Sequence, residues 1–216
     1  METSQKTIHP LGWQVILSGV IITVLGGLAL SYFQNAEPLL KENFNDNKAQ
    51  KLINPDPEWK IIKDETDQEV FQLDNTKGTR YPGFAFGETE WTDFSISFRL
   101  RISEKNGIVL ILHFRENEEY ANGYVLGLQG DLDWVTLAYK AYSSEWNALN
   151  VEQFNYEENV WYSVRVVANG INLSAYIDDY LVGQVQDSRI RAGRFSMSAG
   201  PGTFVQIDDI LVEKIK

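Results

Sequence analysis

Residues 93–102 read DFSISFRLRI, ten positions in which apolar and polar side chains alternate without a break. Successive side chains of an extended strand point to opposite faces. Phe94, Ile96, Phe98, Leu100 and Ile102 therefore share one face, and Asp93, Ser95, Ser97, Arg99 and Arg101 the other. One face suits a core and the other suits water. Asn106-Gly107 tolerates positive φ, and residues 108–115 resume as an apolar run, so the spacing predicts a hairpin whose two strands are partners. The pattern extends outward in both directions. From Trp59 onward no long stretch carries helical spacing, while short alternating runs recur at 124–129, 134–142, 160–168, 171–177, 180–186, 194–199 and 204–212. Asn122-Gly123, Asn169-Gly170 and Pro201-Gly202 punctuate them. About a dozen short strands, some apolar on both faces, predict an all-β, antiparallel, two-sheet jelly-roll sandwich.

Ahead of the strands, residues 11–33 (LGWQVILSGVIITVLGGLALSYF) carry no charge. At ~1.5 Å of rise per residue such a helix crosses a bilayer core of about 30 Å. Trp13 and Tyr32-Phe33 sit where amphipathic rings favour the membrane interface. The expected organisation is a short tail (1–10), one N-terminal transmembrane helix or uncleaved signal anchor (11–33), a stalk (34–42) and the sandwich (43–216). A cleaved signal peptide is the competing reading, with Ala29-Leu30-Ser31 as the cleavage region. Lys6 before the span and Glu37 after it favour a single-pass protein of the cell membrane with its C-terminal domain extracytoplasmic.

Composition closes several doors. A formal charge of -11 repels phosphate backbones and argues against a nucleic-acid partner. The absence of cysteine removes disulfides, thiolate metal sites and cysteine nucleophiles. His9 precedes the apolar span, so His113 stands alone in the domain, and no histidine pair is available to zinc. No Gly-x-Ser-x-Gly elbow accompanies it.

Four stretches carry a family resemblance: EWTDFSISFRLRI (90–102), HFRENEEYANGYVLGL (113–128), NVWYSVRVVANGINLSAYIDDYLVGQVQD (159–187) and AGRFSMSAGPGTFVQIDDILVEKI (192–215). Together they resemble the concanavalin A-like lectin/glucanase sandwiches, in particular the laminin-G-like and family-16-glycoside-hydrolase-like domains of bacterial exported proteins. In AYIDDYLV the acidic pair stands where a hairpin turn is usually Asp-Gly. The resemblance implies the sandwich fold. For function it implies a sugar-binding module, a glycoside hydrolase or a protein-interaction domain.

Family-16 hydrolases place their acids in a Glu-x-Asp-x-Glu strand, and the string occurs here as residues 65–69, ETDQE. Its spacers Thr66 and Gln68 are polar, which marks a solvated hairpin turn and not a strand lining a cleft. Asp131 and Asp133 read as a loop. The expected ligand-binding set is Arg99, His113, Arg115, Tyr120, Tyr139 and Trp146. Alternation aims His113 and Arg115 the same way, and the predicted hairpin adds Arg99 and Arg101 to one polar stripe. Trp91 and Trp134 are further aromatics, and Trp161 is expected inside. The bland alternative pairs Arg115 with Glu118 or Glu119. No cofactor is expected. Calcium, an oxygen-ligand ion, would use Asp208 with Asp209 or Asp46, against the alternative that Asp208 bonds nearby backbone. The function expected is a non-catalytic, membrane-anchored, lectin-like module for carbohydrate or a cell-envelope protein. A hydrolase or a purely structural interaction domain are the alternatives.

Overall fold

The computed structural model describes residues 37–117, 122–141 and 145–215. The predicted membrane span and the 1–10 tail lie outside them, as does Tyr120. Among the described residues no helix is long and apolar enough to cross a membrane.

The described residues form fourteen strands: β1 (Glu37–Glu42), β2 (Trp59–Lys63), β3 (Glu69–Asp74), β4 (Gly83–Phe86), β5 (Phe94–Lys105), β6 (Ile108–Asn117), β7 (Asn122–Gln129), β8 (Trp134–Lys140), β9 (Asn147–Gln153), β10 (Trp161–Asn169), β11 (Asn172–Ile177), β12 (Tyr180–Gln186), β13 (Arg194–Ser198) and β14 (Thr203–Lys214). They make two antiparallel sheets. The eight-stranded sheet runs β12-β11-β10-β5-β14-β3-β2 with β1 also on β14, and the six-stranded sheet runs β4-β13-β6-β7-β8-β9. β1 shows that the sheet begins within the stretch read as a stalk: Leu39 and Leu40 pack against the core, and Leu40 pairs with Val212.

The alternation of residues 94–102 is realised in full, for Phe94, Ile96, Phe98, Leu100 and Ile102 are all buried in the shared core. Rings join the two layers. Phe195 of β13 lies 4.6 Å from Phe94 and 5.1 Å from Phe86, while Phe71 meets Phe44 and Trp59 at 5.0 and 5.1 Å. The Trp59 indole N–H donates to the Pro82 carbonyl at 3.1 Å, so this buried polar group keeps a partner. The Asp-Asp turn behaves as its place in the sequence implies. Asp178 and Asp179 both take positive φ (48° and 63°), the geometry of a two-residue turn between β11 and β12.

The predicted β5–β6 hairpin does not form. β5 is already hydrogen-bonded to β10 on one side and β14 on the other, which leaves it no free edge. After Gly107 (φ 67°) the chain instead crosses to the other sheet, where β6 pairs with β7 and β13. Arg99 and His113 consequently stand on opposite layers. Phe195→Ala, which empties a contact between the layers, is expected to cost about 3–5 kcal/mol in urea-unfolding free energy.

Candidate functional site

Of the expected binding residues, the five that are described, Arg99, His113, Arg115, Tyr139 and Trp146, do not converge. Arg99 lies on the outer face of the eight-stranded sheet, where its guanidinium carbon is 4.7 Å from the Trp161 ring centre and that of Arg101 is 5.0 Å away. Trp161 is thus turned outward, while its neighbour Tyr162 is the residue that packs inside. Arg99 pairs with Asp208 at 2.5 Å and Asp209 at 3.1 Å. Burial pushes the Asp208 carboxyl up, and the Arg99 hydrogen bond pulls it back down. The Asp208 carboxylate also accepts the Asp209 N–H at 2.7 Å. In this structure it serves as a counter-ion to Arg99 and as an acceptor for the neighbouring backbone N–H. Among the described residues no three His, Asp or Glu side chains gather closely enough to hold a metal.

The ETDQE string occupies the β2–β3 turn. Arg101 grips Glu65 with two nitrogens and holds its carboxyl below the usual range, Asp67 pairs with Lys63 at 2.8 Å, and Glu69 accepts the Asn47 N–H at 3.2 Å. Asp133 sits in the β7–β8 loop, paired with Lys105 at 3.0 Å.

Arg115 is the clearest correction. A bulge between Phe114 and Asn117, with Arg115 at φ 51°, turns the side chain away from the face that holds His113. Its guanidinium is completely buried and donates to the carbonyls of Thr92 (2.8 and 3.0 Å), Gly170 (2.9 Å) and Ile190 (3.2 Å). Asp93 lies 3.5 Å away and accepts the Gly170 N–H at 2.6 Å. Arg115 therefore ties three chain segments together and offers nothing to a ligand. Tyr139 belongs to the same structural rim. It packs 6.1 Å from Tyr124 under the Arg189 guanidinium, which lies 4.1 Å from its ring centre. The Tyr124 hydroxyl, pushed up to about 12 by burial and its bond to Asp187, donates to that carboxylate at 2.7 Å.

His113 and Trp146 remain, and they share the outer face of the six-stranded sheet. Two rows cross its strands there. One is Ala85, Ser196, His113, Val125, Ala138 and Ala148, and the next is Gly83, Ser198, Ile111, Gly127, Thr136 and Val151. Small side chains dominate both rows. Ile111, Val125 and Ala138 form an apolar cluster separate from the main core, and Trp146 packs on it. Gly127 is required here, because a Cβ at that position would stand 2.4 Å from the indole ring. His113 is 9% exposed and its Nδ1 has no hydrogen-bond partner. Burial pulls its pKa below the ordinary 6.5, with Glu116 drawing it up and Lys140 pushing it down. The sequence pattern carries no signal for Ser196, Ser198 or Thr136; only cross-strand register sets Ser196 opposite His113 and places Ser198 and Thr136 in the adjoining row.

No protein-family model matches the chain, and no curated protein matches it in sequence. Solved structures do match in shape. The carbohydrate binding module CBM66 from Bacillus subtilis superposes with a TM-score of 0.59 at 18% identity, covering 76% of this chain and 94% of its own. The exoplasmic/lumenal domain of VIP36 in its Ca2+/mannose-bound form gives 0.58 at 12% identity, covering 76% and 90%. Domain 4 of AbnA, a GH43 extracellular arabinanase from Geobacillus stearothermophilus in complex with arabinotriose, gives 0.57 at 11%, covering 83% and 93%. What the chain shares with these structures is the fold, a two-sheet antiparallel β-sandwich.

Two outcomes follow from these placements. Arg115→Met removes the donor shared by three part-buried carbonyls and the packing of a fully buried side chain, and should lower urea-unfolding stability by about 2 kcal/mol or more, and Arg115→Lys should not restore it, since an ammonium lacks the planar fork. At His113 the unfolded chain takes up a proton at higher pH than the folded chain does. Folded stability is therefore expected to fall as pH drops below about 6.5, and His113→Asn should flatten that decline in unfolding midpoints compared between about pH 7 and pH 5.

Proposed function

We propose that residues 37–216 form a non-catalytic, lectin-like module that binds carbohydrate on the outer face of the six-stranded sheet, centred on His113 and Trp146. The observation that carries this reading is the state of His113. A buried ring nitrogen without a partner costs about 1–3 kcal/mol, and a sugar hydroxyl seated on this face would supply the missing bond. The indole beside it offers the flat apolar surface on which the C–H face of a sugar ring stacks. Support comes also from the neighbours in shape, whose own descriptions are a carbohydrate binding module, a mannose-bound domain and an arabinotriose complex. The non-catalytic part of the proposal is supported by the engagement of Glu65, Asp67 and Asp208 with Arg101, Lys63 and Arg99.

The uncharged 11–33 segment supports a single-pass membrane anchor, with the sandwich presented outside the cell and a cell-envelope protein as the alternative partner.

Glycan-array binding by the full-length chain tests the proposal. Trp146→Ala and His113→Ala are each expected to weaken binding at least about tenfold, or ~1.4 kcal/mol, with thermal midpoints retained. A blank array together with a specifically co-purifying envelope protein would overturn it. Release of sugar by the purified chain would overturn the non-catalytic part. Protease access on intact cells reads the topology.

A further inference from the structure

Beyond Trp146 the same sheet face continues to its edge at β4, and the edge is not flat. A groove of about 320 Å³ lies there. Its floor is Gly83, Ala85, Ser196 and Ser198, and Tyr81 stands on its wall, half exposed. Neither serine hydroxyl makes a side-chain hydrogen bond to the described residues. The Tyr81 ring is held at the groove by close packing on Gly200, where a Cβ would come within 3.0 Å of it. The floor residues belong to the two rows that contain His113 and Gly127. Gly83 and Gly127, which sit in one row, are separated by three strand-to-strand steps. At ~4.8 Å per step, the edge groove and the indole on Gly127 are about 14 Å apart. No single sugar ring spans that distance.

We infer that this face takes an extended oligosaccharide lying across the strands, with a second ring-stacking subsite at Tyr81, and not a lone terminal sugar. The inference rests on the reading of His113 and Trp146 as the primary site. The small side chains at the β4–β13 end are what the geometry needs: a chain crossing the pleat perpendicular to the strands meets one residue per strand, and Gly83, Ala85, Ser196 and Ser198 let it lie low there before it meets Ile111 and His113 on β6. The hydroxyls of Ser196 and Ser198 serve the polar edge of the sugar, and Tyr81 serves its flat face. His113, nine-tenths buried with Nδ1 unpartnered on the adjoining strand, marks the face as one built to accept a polar ligand.

The test is calorimetric titration of the full-length chain with matched series of one to six units, using arabino-, laminari- and manno-oligosaccharides. For the series that binds, affinity should rise at least about tenfold between the monosaccharide and the longer members. Tyr81→Ala should remove most of that rise. Ser198→Tyr, which fills the groove from its floor while facing solvent, should do the same, and thermal midpoints of both variants verify folding. Equal affinity for monosaccharide and hexasaccharide would overturn the extended site while leaving the primary site standing, as would folded Tyr81 and Ser198 variants that keep the full chain-length dependence. Failure of every saccharide, together with a blank glycan array, would overturn the primary reading itself.

Discussion

A strand has two faces, and in a sandwich one of them is consumed by the partner sheet. That restriction governs this molecule. Phe94, Ile96, Phe98, Leu100 and Ile102 of β5 give the inward positions from 94 to 102 to the core, and Phe195 and Phe86 answer from the opposite layer. Chemistry is thereby excluded from the interior. It can appear only on the two outer faces or along the rim where the layers are joined, and each of these places has a different character.

The rim is structural. Arg115 bonds carbonyls from the segment before β5, the β10–β11 turn and the β12–β13 connection, so one guanidinium ties parts of both layers. Tyr124, Asp187 and Arg189 continue the network, and the Arg189 bond to Asp187 is the main reason that carboxyl is held down at about 2. Backbone groups at strand ends lack ladder partners, and a planar, permanently charged donor satisfies several of them at once.

The outer faces differ from one another. On the eight-stranded sheet Arg101, Gln206 and Gln72 stand in one row and are bonded to each other in turn, and Arg101 and Arg99 lie over Trp161. Its polar groups largely satisfy one another. On the six-stranded sheet the side chains are small, an indole packs against a glycine, and a buried imidazole nitrogen waits without a partner. A ligand has more to contribute to the second face than to the first, and the proposed saccharide site follows from that contrast.

Much of the architecture was legible in the chain. Period-two alternation identified an all-β sandwich and the inward set of β5, polar spacers identified ETDQE as a turn, and the Asp-Asp pair marked the β11–β12 hairpin. Each of these is local, because side-chain direction along a strand is set by the backbone between adjacent residues. Which strands pair is not local. It depended on β5 having both edges occupied, a fact residing in β10 and β14, and it sent Arg99 and His113 to opposite layers. A single bulge reversed Arg115, and the same long-range register brought Ser196, Ser198, Gly83 and Gly127 into rows with Ile111 and His113. The sequence by itself determined which way each regular strand faces. The tertiary structure alone decided which faces became neighbours, because hydrogen-bond partners across a sheet are chosen by competition among all the strands at once.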